Sequence, residues 1–231
     1  MRRDHPDAHP LPAAGGLPAP PEQIVAALSP MLTEHRLARI DSVLDARIES
    51  VVPVLDGLID PHNIAAVLRS ADAFGIQQVH LIAGELDFLA SQRVAQGTER
   101  WLDVVRHDDP ETCTRALRGA GYRIFVAAMD GELQPEQLAG IERVAVVFGN
   151  EHSGVSGRMA TLADGSYRIP MCGFVESLNV SVATAITLRA ARTGRGGDLD
   201  ANRRLQLLAR FMMLSVDRAE EIVAEHVRRQ T

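Results

Sequence analysis

The stretch Arg143–Asn150, RVAVVFGN, contains five consecutive apolar residues followed by glycine and asparagine. A second, nearly continuous apolar run, YRIFVAAM, lies upstream at Tyr122–Met129. Short unbroken runs of this kind are typical of strands buried on both faces of a parallel sheet, because helices cover each face. We therefore predict two such strands at the centre of an α/β domain.

Outward from this pair, predicted strands and helices alternate along the chain. Three short runs predict further strands: SVVPVLDGL (50–58), QVHLIAG (78–84) and WLDVVRH (101–107). Apolar residues at helical spacing predict helices in TEHRLARIDSVLDARI (33–48), IAAVLRSADAFG (64–75) and PETCTRALRGAG (110–121), and then at about 155–162, 178–192 and 201–226. Thr33 is expected to cap the first of these helices, and Gly75 to end the second. The fold class is α/β, with a mostly parallel sheet and helical extensions at both ends.

Composition limits the function classes. The 231 residues are 46% apolar and 23% charged, which is ordinary for a globular protein. The formal net charge of −6 argues against indiscriminate nucleic-acid binding but leaves room for a local basic patch. Two cysteines, Cys113 and Cys172, are too few for a disulfide framework or a cysteine-built metal site. No apolar run is long enough to span a membrane. We expect a cytoplasmic protein.

The first residues differ from the rest. MRRDHPDAHPLPAAGGLPAPPEQ holds six prolines and no continuous apolar segment, so it does not resemble a signal peptide. Such a composition cannot bury enough surface to offset its ordering entropy. We therefore predict a disordered leader at 1–30, a catalytic domain with its N-terminal helix at 31–195, and a C-terminal helical extension at 196–231.

Three polar, glycine-containing loops follow predicted strands: DPHN (60–63), FGNEHSG (148–154) and IPMCGFVESLN (169–179). In open α/β sheets, ligands bind at the carboxyl ends of the strands. The chain has no GxGxxG after its first strand, no GxxxxGK[ST], no HExxH and no GxSxG. The residue pattern therefore indicates an α/β enzyme with a loop-built site, without a dinucleotide fold, P-loop or metal. Its polar residues remain open to simpler readings, with Asn63 as a helix cap and Arg69 as a surface arginine.

The three loops, in this order, resemble the three motifs of the SpoU family, the trefoil-knot (SPOUT) RNA 2′-O-methyltransferases. The first is DPHNIAAVLRSADAFG, with Asn63, Arg69 and Gly75 in the pattern N-x5-R-x5-G. The second is VVFGNEHSGVS (146–156), and the third is the segment from Ile169 to Ile186. The resemblance runs from Thr33 to Arg195. Within the family, GTERWLDV (97–104) and the helix before the first strand are similar to those of the tRNA guanosine 2′-O-methyltransferases.

The resemblance implies a C-terminal trefoil knot in the backbone that holds S-adenosyl-L-methionine, and a homodimer packed near the third-motif helix Leu178–Leu188. Adenine needs apolar walls and backbone donors and acceptors. The residues expected to bind the cofactor are Ala128, Phe148, Gly149, Ile169, Met171 and Leu178. The implied reaction is 2′-O-methylation of a guanosine ribose in tRNA, most specifically guanosine 18 of the D-loop.

The family gives its central catalytic role to the first-motif arginine, here Arg69. A guanidinium is a poor free base, so Arg69 is expected to bind phosphate and polarise the ribose hydroxyl. Asn63, Glu151, Ser177 and Asn179 match further positions of the family's active site. Arg39, Arg100 and Arg195 occupy RNA-contact positions, although each could equally lie on a solvated face. Cys172 is interpreted as a small apolar filler beside the site.

Two other functions stay open at this stage. One is a ribosomal RNA 2′-O-methyltransferase of the same family, including the kind that confers antibiotic resistance. It is favoured by the mixed charge of TEHRLARIDSVLDARIES (33–50), which holds only three arginines. The other, of a different class, is a non-catalytic RNA-binding module that keeps the fold. The joint presence of Asn63, Arg69, Glu151 and Asn179 argues against that second alternative.

Overall fold

A computed structural model describes residues 16–82, 97–150 and 153–230, and these form two compact units. The larger unit, Ser42–Asp200, contains the sheet. The smaller unit combines the described residues before 42 with those from Ala201 onward.

A single six-stranded sheet organises the larger unit. Its strands are β1 (Val51–Asp56), β2 (Gln78–Ile82), β3 (Asp103–His107), β4 (Arg123–Ala127), β5 (Val144–Gly149) and β6 (Gly165–Tyr167). They lie in the order β3-β2-β1-β5-β4-β6, and every neighbouring pair is parallel. The expected parallel α/β sheet is confirmed.

Strand β5 shows why its sequence is almost wholly apolar. Val144, Val146 and Phe148 belong to the apolar cluster on one face of the sheet, whereas Ala145 and Val147 belong to the cluster on the other. Side chains alternate across a strand, so a strand covered on both faces needs apolar residues at every position.

Among the described residues of this unit, four helices cover the two faces of the sheet. They are α3 (Pro61–Ala73), α4 (Pro110–Gly119), α5 (Gly157–Leu162) and α6 (Val180–Ala191). Residues of α3 and α6 belong to the first apolar cluster, and residues of α4 and α5 to the second.

Local signals set the ends of these helices. Asp60, not Asn63, is the N-cap of α3 and accepts a hydrogen bond from the His62 N–H (2.9 Å). The reading of Asn63 as a cap is therefore wrong. Gly75 follows α3 at φ +72°, and a Cβ there would lie 2.7 Å from the Ala46 carbonyl oxygen, so a glycine is required. Asp109 caps α4 through a capping box with Thr112.

The smaller unit corrects part of the prediction of a disordered leader at 1–30, although residues 1–15 lie outside the described residues. Residues Pro21–Leu28 form helix α1, which buries Ile24, Ala27 and Leu28 against the helices that follow Ala201. A proline in the first turn costs no hydrogen bond, and the i, i+3, i+4 spacing of these three residues provides an apolar face. Helix α2 (Glu34–Ala46) then begins after Thr33, whose hydroxyl oxygen accepts from the Arg36 N–H (3.2 Å).

The predicted single helix at 201–226 is two helices, α7 (Ala201–Met213) and α8 (Ala219–Gln230). Ser215 donates from its hydroxyl to the Phe211 carbonyl oxygen (2.7 Å), which competes with helix propagation. Arg218 then takes a left-handed conformation, with φ at 57°. Within the described ranges, none of the helices combines the length and apolarity needed to span a bilayer.

Candidate active site

A cavity of about 850 Å³ lies where β4 and β5 end, and the third-motif loop contributes much of its wall. The carboxyl ends of parallel strands are the expected place for a ligand in this fold class. All six residues predicted to bind the cofactor line this cavity: Ala128, Phe148, Gly149, Ile169, Met171 and Leu178. The sequence therefore located the cavity correctly; their role in binding remains a prediction.

The loop after β5 folds back on the strand. Asn150 and Gly154 exchange two backbone hydrogen bonds, of 3.1 and 3.0 Å. A Cβ at Gly149 would lie 1.9 Å from the carbonyl carbon of Gly154, so the backbone itself occupies the space of a side chain. This close approach places bare backbone on the cavity wall, where its polar groups can meet a ligand.

Asn179 connects two of the three motifs. Its Nδ2 donates to Oδ1 of Asn63 (3.1 Å), and its Oδ1 accepts from the backbone N–H of Ser181 (2.9 Å). It is therefore both the N-cap of α6 and a tie to α3. Asn63 is 9% exposed, whereas Asn179 is exposed and lines the cavity.

The remaining predicted catalytic residues differ in position. Ser177 is exposed and lines the cavity beside Leu178. Arg69 is exposed on α3, six residues after Asn63, and is not among the residues of the cavity wall. Six residues of α-helix span about 9 Å. Arg69 therefore lies more than one helical turn from Asn63, the residue of α3 that is hydrogen-bonded to Asn179. Glu151 lies outside the described residues.

The three predicted RNA-contact arginines do not share one environment. Arg39 on α2 and Arg100 in the short helix at 98–101 are exposed. Arg195 instead donates to the carbonyl oxygens of Ala191 (2.9 Å), Glu142 (2.8 Å) and Ala139 (3.2 Å), and further to Leu138 and Ile141. These bonds tie the segment 138–142 to the end of α6. These hydrogen bonds indicate a structural role for Arg195, whereas its contact with RNA remains a prediction.

Several residues of the site escaped the sequence analysis. Arg168 and Glu176 line the cavity and are its charged residues within the described part of the wall. Asp56, 5% exposed at the end of β1, does not line the cavity, but it accepts from the N–H of Ser156 (2.7 Å), which follows the cavity residue Val155 and is the N-cap of α5. A polar residue that directly follows an apolar strand run is the signal that could have found Asp56. Cys172 is exposed, which corrects its interpretation as an apolar filler.

Comparison with known proteins identifies the family of these motifs. Residues 50–189 match the model of the SpoU rRNA Methylase family. The chain is 34% identical over 164 residues to a tRNA (guanosine(18)-2′-O)-methyltransferase of Thermus thermophilus, covering 71% of this chain and 84% of that relative. It is 36% identical over 172 residues to the 23S rRNA (guanosine-2′-O-)-methyltransferase RlmB of Photobacterium profundum, covering 71% and 68%.

Solved structures show the same fold. The crystal structure of a TrmH/SpoU tRNA modifying enzyme from A. aeolicus has a TM-score of 0.68 at 26% identity, covering 79% of this chain and 98% of that one. The SpoU methyltransferase AviRb of Streptomyces viridochromogenes, solved in complex with the cofactor AdoMet, has a TM-score of 0.58 at 26% identity, covering 67% and 62%.

Proposed function

Because this chain belongs to the SpoU rRNA Methylase family, we propose that it methylates the ribose 2′-hydroxyl of guanosine 18 in tRNA, with S-adenosylmethionine as methyl donor. One structural observation carries this proposal. The third-motif loop that lines the cavity is tied by Asn179 to Asn63, on the helix that also bears Arg69.

The cavity fits the methyl donor. Its volume of about 850 Å³ lies within the roughly 300–1,000 Å³ of small-ligand sites. Phe148, Ile169 and Leu178 supply apolar wall for the adenine, and the backbone around Gly149 supplies donors and acceptors. When bound, S-adenosylmethionine supplies a methyl group already activated by its sulfonium.

Arg69 binds the substrate and does not serve as a free base. A guanidinium stays protonated in proteins, whereas its planar fork suits bidentate binding of a phosphate. Its exposed position on α3 leaves it accessible to an RNA backbone. There it holds the phosphate next to the target ribose and polarises the 2′-hydroxyl, so that the proton leaves as the new bond forms.

The other motif residues hold this geometry. Asn63 is largely buried and positions Asn179, which in turn fixes the start of α6 and the loop before it. Ser177 lines the cavity and orients the ribose or the cofactor. Glu151 completes the set in the family's pattern. Precise alignment is the main requirement of such a transfer, so the side chains that fix the loops matter as much as those that touch the substrate.

Arg39 and Arg100 contribute to RNA binding. Both are exposed, as phosphate contacts must be. With a net charge of −6, the chain as a whole does not attract RNA, so binding depends on individual basic residues and weakens as the salt concentration rises. An RNA-modifying enzyme of this kind acts in the cytoplasm.

The enzyme works as a homodimer that packs through the third-motif region. Four exposed apolar side chains lie in this part of the sequence: Phe174, Val175, Val182 and Ile186. Val182 and Ile186 are four residues apart and share one face of α6. Apolar residues left on one surface of a domain mark an interface. The helix Leu178–Leu188 named from the sequence includes two of them.

The proposal includes the family's trefoil knot. Strand β6 and the residue after it lie in close contact with the loop 131–133. The Leu133 N–H donates to the Ser166 carbonyl oxygen (3.1 Å), and the Arg168 N–H donates to the Leu133 carbonyl oxygen (2.9 Å). A Cβ at Gly131 would lie 2.2 Å from the carbonyl carbon of Tyr167. A backbone knot requires one segment of the chain to pass this closely beside another.

The deciding experiment measures transfer of labelled methyl groups from S-adenosylmethionine to three RNAs. They are tRNA with guanosine at position 18, the same tRNA with another nucleotide there, and 23S ribosomal RNA. We expect incorporation into the first alone, lost in Arg69→Ala and kept in Arg158→Ala. Arg158 is a suitable control because it is exposed on α5 in a surface ion pair, which contributes little to stability.

The alternative is methylation of 23S ribosomal RNA, favoured by the 36% identity to RlmB of Photobacterium profundum. Incorporation into ribosomal RNA alone would identify ribosomal RNA as the substrate and leave the proposed role of Arg69 unchanged. RNA binding without methyl transfer to any of the three would instead favour a non-catalytic RNA-binding module.

A further inference from the structure

Away from the cavity, two histidines and a cysteine meet beside β2 and β3. One ring nitrogen each of His80 and His107 lies with Sγ of Cys113 in a group whose atoms are all within 4.8 Å of one another. His80 is on β2, His107 ends β3 and Cys113 is on α4. His80 lies 27 positions before His107, so no short motif such as HExxH marks this group in the sequence.

The group is buried and incompletely satisfied. The exposed fractions of His80, His107 and Cys113 are 6%, 9% and 0%. Nδ1 of His80 shares a hydrogen bond of 2.8 Å with Nε2 of His107, but Nε2 of His80 has no partner among the described residues. A buried polar atom without a partner is rare in native proteins, so the hydrogen bonding of this pair is incomplete. A metal bound through Nδ1 would not contact Nε2, so what points to an ion is the meeting of the three side chains.

The surrounding charge is negative. Burial, and then the Asp56 carboxylate, raise the pKa of the Cys113 thiol to about 12. Without a metal the thiol is therefore protonated and unreactive. The negative charge that disfavours a lone thiolate favours a divalent cation, which would be balanced by one thiolate and the carboxylate of Asp56.

We propose that His80, His107 and Cys113 form a transition-metal site that takes Zn²⁺. Thiolate and imidazole are the ligands that zinc prefers. Tetrahedral bonds of about 2.0–2.3 Å put ligand atoms roughly 3.3–3.6 Å apart, and the present separations range from 2.8 Å between the rings to at most 4.8 Å. The two rings are nearly parallel, with an interplanar angle of 8°, so both must rotate to direct a nitrogen at one ion. Binding releases the Cys113 proton to solvent and breaks the hydrogen bond between the rings, and water takes the fourth position.

The apolar shell gives such a site a structural role. Cys113 packs in a cluster with Val126, Leu117 and Met159, which joins α4 and α5 to the sheet. A metal held by β2, β3 and α4 would therefore stabilise this side of the larger unit.

Co²⁺ is the probe, because thiolate coordination gives a charge-transfer absorption in the near ultraviolet. The full chain, without an affinity tag and reduced, is titrated with Co²⁺ and then with Zn²⁺. We expect one Co²⁺ per chain with this absorption, its displacement by Zn²⁺, and a higher melting temperature with Zn²⁺.

In Cys113→Ala the charge-transfer absorption should disappear, and the affinity for Co²⁺ should fall at least a hundredfold. Loss of a direct ligand should cost more than loss of a residue that only hydrogen-bonds to a ligand, which lowers metal affinity roughly 10–100-fold. His107→Gln should weaken binding in the same way. The exposed residues Cys172 and His35 provide matched controls, since Cys172→Ser and His35→Gln should bind as the wild type does. Circular dichroism confirms that each variant is folded. Wild-type protein that binds no stoichiometric Co²⁺, or binding that survives Cys113→Ala, would overturn the proposal.

Discussion

Asn179 and Asn63, 116 positions apart in the sequence, share a hydrogen bond of 3.1 Å between their side-chain amides. The same Asn179 side chain caps α6 through the Ser181 N–H. One residue thus sets where α6 starts and how far it stands from α3. The loop that lines the cavity is held by both constraints.

The two functions of Asn179 can be separated. Asn179→Ala removes the cap and the tie, so the free energy of unfolding should fall by about 1–2 kcal/mol and methyl transfer should drop. Asn179→Ser keeps a capping oxygen but loses the Nδ2 donor, and should recover most of the stability without recovering the activity. Urea denaturation and initial rates distinguish the two variants. Equal rates for Asn179→Ser and wild type would show that the tie to Asn63 is dispensable.

Gly149 should tolerate no side chain. A Cβ there would meet the backbone of Gly154 and Val155 at about 2 Å, and overpacking of this kind costs roughly 1–3 kcal/mol. We expect Gly149→Ala to weaken S-adenosylmethionine binding by about tenfold or more, measured by calorimetry. Gly157→Ala is the matched control, because a Cβ at Gly157 has nothing within 4 Å. Unchanged affinity in Gly149→Ala would mean that the 150–154 loop relaxes freely.

Arg195 should behave as a structural residue. Its guanidinium donates to carbonyl oxygens of the 138–142 segment, and hydrogen bonds from a charged group are worth roughly 1.5–3 kcal/mol each at most. Arg195→Ala should lower the free energy of unfolding by about 2 kcal/mol while tRNA affinity at low temperature stays unchanged. Arg158→Ala, in an exposed ion pair on α5, should have little effect on either quantity. A selective loss of tRNA affinity in Arg195→Ala would instead support the RNA-contact role.

Stability should fall as the solution is acidified. The pKa of His80 is lowered from 6.5 to about 4 in the folded state, so between these values the unfolded chain binds more protons. The free energy of unfolding therefore decreases as pH falls from about 6.5 towards 4, with a slope of at most about 1.4 kcal/mol per pH unit from this group.

Urea denaturation at several pH values, with EDTA present, measures that slope. His80→Leu removes the titrating group and should flatten the curve within this window. The exposed His35→Gln should leave the curve as it is in the wild type. A slope that persists in His80→Leu would assign the acid sensitivity to other groups.

The proposed homodimer can be tested by introducing charged residues at its interface. Val182 and Ile186 are 46% and 40% exposed on α6. In an apolar interface, two buried glutamates would each carry a heavy desolvation cost. We expect sedimentation to show a dimer for the wild type and a monomer for Val182→Glu/Ile186→Glu. Met31→Glu, at an exposed apolar residue of the smaller unit, should remain dimeric. A wild-type monomer at micromolar concentration would contradict the proposal.

The sequence by itself determined the local structure. The apolar run of β5 encodes burial on two faces. Thr33 and Gly75 likewise mark helix boundaries through local hydrogen bonds, from the Arg36 N–H to Thr33 and from the Gly75 N–H to the Asp72 carbonyl oxygen. The motif residues at 148–149 and 169–179 also located the cavity, because the ends of parallel strands converge on one edge of a sheet.

Only the tertiary structure decided which distant residues meet. The strand order β3-β2-β1-β5-β4-β6 brings His80 and His107 together, and helix packing adds Cys113. The same packing turns Arg195 inward and buries one face of α1. Sequence periodicity records whether a side chain is buried, but not against which partner, because that depends on sheet order and helix packing rather than on spacing along the chain.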